Sequence, residues 1–428
     1  MDTIFALASA RAKSGVAVIR ISGPKAWDAG RTLCNSLPPV RQAGLRTIRR
    51  SSGEMLDTAI VIAYASGASF TSEPIIELMV HGGVATIVAI ESELDKLDGL
   101  RFAKPGEFTR RALDAGQIDL TQVEALADLL DAETEKQRLQ ALRILQGALG
   151  RLVAPWRHAL ISAAARIETG IDFVEEPIGE QNEAVLKLLR PVLNQMNAEI
   201  SGHAMRSAIR SGFEIAIVGA VNSGKSTLLN RLAGREAAIT SSVAGTTRDV
   251  IEVRMDIGGF PVTFLDTAGI RESQDPVERI GIERGIERAS NADLRITLLE
   301  NPAAHPPMDM RESDIVLVSK SDLYPDVADG VSGLTGDGID SLLMRIQAHL
   351  SKHFADDGVT MRDRHLRAID AGAASLRSAI DRLEGAEPAA ELVAADLRAC
   401  IVALDMLIGK VDVEDLLDDV FASFCIGK

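Results

Sequence analysis

The chain has 428 residues, of which 46% are hydrophobic and 25% charged, so a disordered or collagen-like protein is excluded. Its net charge of −15 argues against a protein that binds nucleic acid through an overall excess of Lys and Arg. The three cysteines form no Cys-x-x-Cys pair, and no apolar run reaches the ~18 residues of a membrane-spanning helix. We therefore expect about two to four domains in a cytoplasmic protein with reduced thiols and no membrane segment.

Residues 1–118 are predicted to mix strands and helices. Alternating apolar residues predict strands at 16–22, 59–64 and 75–80, and a helical pattern covers 84–97.

Two long helical stretches, 119–208 and 355–428, flank a different kind of segment at 209–354. Their Ala, Leu and charged residues recur at helical spacing and predict one bundle. Helices on both sides of an α/β module indicate that 209–354 is inserted into that bundle.

Local signals predict where some helices begin and end. Thr121-Gln-Val-Glu124 has the form of a capping box. Gly179 and Pro191 are expected to interrupt the first helical stretch, and Asp412 to cap a last helix that runs to Val420.

The segment 209–354 alternates strand and helix patterns, which predicts a largely parallel sheet with crossover helices. Gly258-Gly259 joins two of the strands and predicts a hairpin. The predicted strands are 213–218, 250–256, 260–265, 294–299 and 315–319.

The motif that points most directly to function is Gly219-Ala-Val-Asn-Ser-Gly224-Lys225-Ser226, which lies between a strand and a helical run ending at Gly234. This order is typical of a phosphate-binding P-loop. Glycines let backbone N–H groups converge on phosphate oxygens, and the helix N-terminus adds partial positive charge. Lys225 would contact the β- and γ-phosphates, and the Ser226 hydroxyl would bind Mg²⁺.

Four later stretches favour GTP over ATP. The threonine-rich loop 245–249 can coordinate Mg²⁺ and respond to the γ-phosphate. Asp266-Thr-Ala-Gly269 offers a carboxylate to Mg²⁺ through water and an N–H to the γ-phosphate. Ser319-Lys-Ser-Asp322 offers a carboxylate to guanine N1 and N2, and the backbone of 332–334 offers an N–H to guanine O6.

Ser319 stands where the Asn-Lys-x-Asp form of the guanine motif has asparagine, so weaker guanine binding is expected. The predicted GTP-binding residues are Asn222, Ser223, Gly224, Lys225, Ser226, Thr227, Ser241, Ser242, Val243, Ala244, Gly245, Thr246, Thr247, Asp266, Thr267, Ala268, Gly269, Lys320, Asp322, Ser332, Gly333 and Leu334.

Two groups that assist hydrolysis in other GTPases are missing from the sequence pattern. Ile270 follows the Asp266 motif where Ras has a water-orienting Gln, and no arginine finger is evident. Glu278 is a candidate to orient water instead, and Asn222 in the P-loop indicates that a cation could supply the missing charge. Cys425 is a third candidate catalytic residue, since a thiolate is a good nucleophile.

Together these motifs and the closing Cys425-Ile-Gly-Lys428 resemble the bacterial tRNA-modification GTPases called MnmE or TrmE. The resemblance runs the length of the chain and includes Arg20-Ile-Ser-Gly23, Glu77, His81-Gly-Gly83 and Pro105-Gly-Glu-Phe108.

This resemblance implies an α/β plus all-α protein. It implies an N-terminal α+β domain at 1–118 that binds tetrahydrofolate and dimerises, and a helical domain at 119–208 and 355–428. The helical domain would be interrupted by a Ras-like P-loop G domain at 209–354.

The resemblance also implies a potassium-dependent GTP hydrolase that works as a homodimer with MnmG (GidA), a partner that carries FAD. Together they would add an aminomethyl or carboxymethylaminomethyl group to C5 of the wobble uridine of certain tRNAs. Methylenetetrahydrofolate would supply the one-carbon unit, with 5-formyltetrahydrofolate as a related ligand.

Residue by residue, the resemblance implies Mg²⁺ on Ser226 and Thr247, and K⁺ on Asn222, Ser241, Val243 and Thr246. It gives Glu278 the water-orienting role. It assigns folate binding to Arg20, Glu77, position 117 and Lys428, and Gln117 departs from the family's Lys and loses a charge there.

An alternative is a ribosome-assembly GTPase of the Era or Der type, which shares the threonine-rich switch. Der would need a second P-loop and Era a basic KH-like module, and neither pattern is found. A metalloenzyme is a weaker third, because the seven histidines form no zinc-binding pattern.

Overall fold

The computed structural model describes residues 2–172, 178–220, 222–235, 238–239, 252–266, 290–306, 309–352, 358–359, 362–385, 389–410, 421, 424 and 427. Contacts divide the chain into two compact units. The N-terminal unit comprises Met1–Ala127 and Asp405–Lys428, and the central unit comprises Asp128–Leu404. The three-domain division expected from the sequence stays a prediction.

The N-terminal unit is built on a mixed sheet. Its strands are β1 (Thr3–Leu7), β2 (Ser14–Ser22), β3 (Gly44–Arg49), β4 (Met55–Tyr64), β5 (Ile75–Gly82) and β6 (Leu100–Phe102), in the order β3-β4-β5-β2-β1-β6. The pairs are antiparallel except β1 with β6. The three strands predicted in this region are confirmed, whereas β1, β3 and β6 were not predicted.

One face of this sheet is covered by helices. Helices α1 (Ala26–Cys34) and α2 (Val84–Leu94) pack on alternate strand residues such as Ile76 and Leu78 of β5. Because successive strand side chains point to opposite faces, Glu77 lies on the other face. The predicted helix 84–97 is confirmed, although it ends at Leu94.

Helices α3 (Glu107–Asp114) and α4 (Leu120–Leu130) follow the sheet. The capping box before α4 is formed by Asp119 and Gln122, and the prediction of Thr121 with Glu124 is wrong. Asp119 Oδ1 accepts from the Gln122 N–H, and Gln122 Oε1 accepts from the Asp119 N–H, each at 2.9 Å. Thr121 instead donates its hydroxyl proton to Asp119 at 2.6 Å, because the helix begins one residue before it.

Residues near the chain's C-terminal end belong to the N-terminal unit. Phe421 and Phe424 pack with Leu120 and Val123 of α4 in a small hydrophobic core. Gly106 lies directly under the Phe421 ring, since a Cβ added there would be 2.6 Å from its Cδ1. The predicted helix 412–420 lies outside the described residues.

The central unit contains long helices that include α5 (Glu135–Leu145), α6 (Ala148–Asp172) and α7 (Ile178–Ser211). The predicted interruption at Pro191 is wrong, because α7 continues through that position. Gly179 is the second residue of α7, and residues 173–177, between α6 and α7, lie outside the described residues, so an interruption near Gly179 stays a prediction. A proline inside a helix removes one hydrogen bond and crowds the preceding turn. Packing of α7 against α6 and against the later helix α10 (Asp363–Glu384) compensates for that cost.

The second sheet has the order β12-β11-β10-β7-β9-β8. Its strands are β7 (Phe213–Gly219), β8 (Glu252–Ile257), β9 (Phe260–Asp266), β10 (Leu294–Leu299), β11 (Ile315–Ser319) and β12 (Gly330–Val331). All pairs are parallel except the β8–β9 hairpin, as predicted, and β12 was not predicted. Residues 250 and 251 of the predicted strand 250–256 lie outside the described residues.

Helices α8 (Lys225–Ala233) and α9 (Ile339–Lys352) contribute to the core of this second sheet, and α11 (Ala390–Leu407) follows α10. The helical pattern predicted for 355–428 is therefore confirmed over 363–384 and 390–407. None of the described helices combines the length and the hydropathy needed to cross a membrane.

Replacing Gly106 by Ala should destabilise the N-terminal unit more than replacing Gly116 by Ala. Both glycines have φ of 66°, so both variants incur the left-handed backbone cost of about 1–2 kcal/mol. Only Gly106 lies against the Phe421 ring, whereas a Cβ at Gly116 meets no atom within 4 Å. We expect about 1–3 kcal/mol of additional destabilisation for G106A from overpacking.

The measurement is amide hydrogen exchange by mass spectrometry in α4, which reports the free energy of local opening next to Phe421. G116A serves as the matched control. Equal loss of protection in the two variants would contradict a tight contact between Gly106 and Phe421.

Candidate functional site

The loop between β7 and α8 has the backbone of a phosphate cradle. A Cβ at Gly219 would lie 2.5 Å from Ser223 Oγ and 2.6 Å from the Leu298 carbonyl oxygen, so a side chain is excluded there. Asn222 has φ of 66° and Gly224 φ of 87°, both left-handed. Left-handed residues in such a loop are typical of backbones that turn successive N–H groups toward one anion.

Lys225 and Ser226 begin α8 at the edge where β9 ends. The Lys225 ammonium group donates to the Gly219 and Ala220 carbonyl oxygens, each at 2.8 Å. Burial lowers the pKa of Lys225, and the nearby charge of Asp266 opposes that shift. The lysine is thus held within the loop, next to the place where the predicted phosphates would bind.

Ser226 and Asp266 are brought together from elements 40 residues apart in sequence. The Ser226 hydroxyl donates to Asp266 Oδ2 at 3.0 Å, and Asp266 is only 8% exposed. A hydroxyl and a carboxylate converging at a phosphate cradle are oxygen donors of the kind that Mg²⁺ prefers. This pair therefore fits the predicted magnesium site.

The predicted base site lies beyond β11. Asp322 is in a 3₁₀ turn, Ser321–Leu323, and its Oδ1 accepts the Ser332 hydroxyl proton at 2.6 Å. Lys320, just before this turn, has a left-handed φ of 54°. A Cβ at Gly333 would lie 2.8 Å from the backbone N of Leu228, so the loop 332–334 packs on the start of α8. The predicted base and phosphate sites are therefore neighbours.

Ser319 has a structural hydrogen bond in this region. Its hydroxyl donates to the Leu299 carbonyl oxygen at 3.0 Å, and the residue is 3% exposed. It thereby joins the ends of β11 and β10, on either side of the loops that would hold the nucleotide. Weaker guanine binding because of Ser319 stays a prediction.

Many of the predicted site residues lie in parts of the chain that the structure does not describe. Those outside the described residues are Ser241, Ser242, Val243, Ala244, Gly245, Thr246, Thr247, Thr267, Ala268, Gly269, Glu278, Cys425 and Lys428. The other two cysteines are buried, and burial raises the pKa of Cys34 to about 11 and that of Cys400 to about 12. These two thiols stay protonated near neutral pH and are poor nucleophiles.

A second candidate site lies in the N-terminal unit, where a cavity of about 440 Å³ brings together Arg20, Glu77 and Gln117. Its other lining residues are Arg41, Tyr64, Gly67, Ala68, Ser69, Phe70 and Ile75. The three folate-binding candidates that the structure describes thus share one cavity.

The cavity contains an ion pair set by strand register. Arg20 of β2 is directly opposite Glu77 of β5, and its Nη2 lies 2.8 Å from Glu77 Oε1. The Tyr64 hydroxyl donates to Glu77 Oε2 at 3.2 Å. Burial and the negative charge of Glu77 raise the pKa of Tyr64, so the phenol remains a proton donor.

The loop 65–73 that walls the cavity is anchored from outside it. Ser22 donates to Glu73 Oε2 at 2.7 Å, and Arg111 of α3 binds the same carboxylate at 3.0 and 3.1 Å. These partners fix the loop that presents Phe70 to the cavity. Sequence reasoning missed Arg41, Tyr64 and Phe70, and only Tyr64, at the end of a predicted strand, carried a signal that could have located it.

Comparison with known proteins gives matches over nearly the whole chain. Residues 120–425 match the family model described as the MnmE helical domain, and residues 3–117 match the GTP-binding protein TrmE N-terminus. The chain is 49% identical over 429 residues to the tRNA modification GTPase MnmE of Roseobacter denitrificans. It is 50% identical over 430 residues to the protein of that name from Dinoroseobacter shibae, and both alignments cover 100% of each chain.

Solved structures match a smaller part. A variant of Aquifex aeolicus Era bound to GDP·AlF4⁻ is 25% identical, with 38% of this chain and 66% of that chain covered and a TM-score of 0.24. The G domain of T. maritima FeoB is 20% identical, with 32% and 98% covered and a TM-score of 0.24.

Replacing Ser332 by Ala should weaken guanine-nucleotide binding about tenfold, because Asp322 loses a charge-assisted hydrogen bond that orients its carboxylate. The measurement is the Kd of fluorescent GDP. Ser321→Ala is the matched control, since Ser321 adjoins Asp322 and its buried hydroxyl has no hydrogen-bond partner among the described residues. If S332A binds GDP as tightly as S321A, the Ser332 hydroxyl does not position Asp322.

Proposed function

The chain belongs to the MnmE family of tRNA modification GTPases, and we propose that it is a potassium-dependent member that acts on the wobble uridine. With a flavin-containing partner of the MnmG type, it would add a carboxymethylaminomethyl or aminomethyl group to C5 of that base. A methylenetetrahydrofolate would supply the one-carbon unit.

The observation that carries the GTPase part is the Ser226–Asp266 hydrogen bond at the P-loop. It joins the first residues of α8 to the end of β9, so hydroxyl and carboxylate face the same phosphate cradle. Ser226 and Thr247 would bind Mg²⁺ directly, and Asp266 would act through water. Bound Mg²⁺ neutralises charge on the phosphate oxygens.

Potassium is proposed as the substitute for an arginine finger. Asn222 lies in the cradle with a left-handed backbone, and its amide oxygen is a suitable ligand for an alkali cation. Ser241, Val243 and Thr246 would complete the K⁺ site, and Glu278 would orient the attacking water. A second copy would close on the first during hydrolysis, so that K⁺ stabilises the developing charge.

The homodimer is supported by an apolar row on the face of the N-terminal sheet opposite α1 and α2. Strand register places Leu45, Ile60, Met79 and Val18 side by side across β3, β4, β5 and β2. Leu45 is 68% and Ile60 42% exposed. Met79 and Val18 are partly exposed, and an apolar row open to solvent is typical of surfaces that bind another protein.

The folate part is supported by the cavity around Arg20 and Glu77. A carboxylate held by a guanidinium and a phenol can accept hydrogen bonds from the paired N–H groups of a pterin. Phe70 and Ile75 supply apolar surface for the ring. Lys428 and Gln117 would complete the ligand contacts, and Cys425 would act near them.

The partners follow from the same proposal. Because the net charge is −15, tRNA would be held by a local basic surface or by the MnmG-type partner, which also carries FAD. Because the proposed substrate is tRNA, we infer that this protein acts in the cytoplasm. The Era- or Der-type alternative is not favoured, because the family models and full-length relatives also cover the N-terminal and helical segments.

GTP hydrolysis by the wild-type protein should run at least about tenfold faster in potassium than in sodium. The variant Asn222→Gly should lose that difference, because glycine keeps the left-handed backbone and removes only the amide. Phosphate release in the two salts gives the rates, with Asn230→Ala, an exposed position on α8, as control. Equal rates in sodium and potassium for the wild type would sink the potassium proposal.

Deletion of the gene should abolish C5 modification of the wobble uridine in the affected tRNAs. Wild-type protein should restore it, whereas Ser226→Ala should not, because the proposed Mg²⁺ ligand is lost. Mass spectrometry of nucleosides from total tRNA makes the comparison. Unchanged wobble uridines in the deletion strain would refute the tRNA-modification proposal.

A further inference from the structure

Among its described lining residues, the cavity of the N-terminal unit contains one cation without a counter-charge. Arg20 and Glu77 neutralise each other at 2.8 Å, and Gln117 contributes only a neutral amide. Arg41 also lines the cavity, and its guanidinium has no ion pair or hydrogen bond within the described part of the chain. Among the described residues, the charged groups lining the cavity therefore sum to one net positive charge.

Arg41 is held at this place by its backbone. Its N–H donates to the Ala63 carbonyl oxygen at 2.8 Å, and the next N–H, of Gln42, donates to Pro39 at 3.0 Å. This anchors Arg41 beside Tyr64 at the end of β4. Its φ of 60° is left-handed, a conformation that non-glycine residues rarely adopt and that is often found at ligand clamps.

The charge of Arg41 acts inside the cavity. It lies close enough to the Tyr64 hydroxyl to oppose the rise in the pKa of Tyr64, as Arg20 does. The charges of Arg41 and Arg20 therefore both act on the phenol that donates to Glu77, and only Arg20 is paired with that carboxylate.

We propose that Arg41 is a specificity-determining residue that binds the tail carboxylate of the cavity's ligand. The inference rests on the proposed function of the cavity as a folate site. Glu77 would recognise the N–H edge of the pterin, and Arg41 would select ligands that carry a carboxylate beyond it. The cavity then discriminates folates from pterins that lack the glutamate tail.

The test is calorimetric titration of the full-length protein with 5-formyltetrahydrofolate and with tetrahydrobiopterin, which has no carboxylate. Arg41→Gln should raise the Kd for the folate about tenfold and leave that for the pterin unchanged. Arg41→Lys should restore part of the folate affinity, because the charge returns without the planar guanidinium. Arg49→Gln, an exposed position on β3 outside the cavity, controls for the loss of one positive charge.

The outcomes distinguish the role of Arg41 from the folate-binding function of the cavity. If wild-type protein binds the folate and R41Q binds it equally well, the role of Arg41 is refuted and the folate site stands. If R41Q weakens both ligands alike, Arg41 acts only on the structure of the cavity, and the inference is likewise refuted. If the wild type binds no folate, the proposed folate function fails and the inference falls with it.

Discussion

The hydrogen bond between Ser226 and Asp266 depends on two strands, β7 and β9, that are far apart in sequence and end at the same edge of one sheet. Ser226 follows β7 at the start of α8, and Asp266 is the last residue of β9. Parallel pairing of β7 with β9 places Ile217 opposite Asp266, so the carboxylate ends beside the loop that begins at Gly219. Parallel strands always present their carboxyl ends together, which is why ligands of open α/β sheets bind there. This register positions the phosphate cradle beside Asp266, and the parallel pairs of β7 with β10 and of β10 with β11 bring the base-binding turn after β11 to the same edge.

The same strand links the nucleotide site to a helix at its other end. Phe260 begins β9, and the Lys136 ammonium of α5 lies 3.9 Å above its ring, a cation–π contact. A Cβ at Gly259 would be 3.0 Å from Lys136 Cγ, so the hairpin turn lies tight against α5. A shift of β9 at Asp266 is therefore opposed at Phe260. This gives the helices of the central unit direct contact with the strand that ends at the proposed phosphate site.

The sequence predicted elements whose signals are local. Apolar alternation and Gly258-Gly259 located β8 and β9, and the P-loop motif located the turn into α8. Predictions were wrong where a local signal competed with a contact or with a neighbour. Pro191 stays inside α7 because tertiary packing outweighs its lost hydrogen bond, and Asp119 precedes Thr121 as the better placed cap.

Arg41 shows what a sequence alone could not supply. It is an arginine in a loop after two prolines, and neither its left-handed φ nor its bond to Ala63 follows from its neighbours. Its role appears only when β2, β4 and β5 bring Arg20, Tyr64 and Glu77 to the same cavity. Cavities built from distant segments depend on register, which short motifs do not encode.

The hydrogen bonds that the Glu77 carboxylate already accepts limit how a ligand can bind beside it. A carboxylate accepts about four hydrogen bonds, two at each oxygen. Arg20 donates to Oε1 through Nε at 2.9 Å, and its Nη2 lies 2.8 Å from the same oxygen in the ion pair. Among the described residues, Oε2 accepts only the Tyr64 hydroxyl, at 3.2 Å, so capacity for an incoming N–H remains at Oε2. The raised pKa keeps Tyr64 protonated, so the phenol donates one hydrogen bond to Oε2 and leaves this oxygen able to accept another. The N–H edge of a pterin would bind at Oε2, while Arg20 binds Oε1.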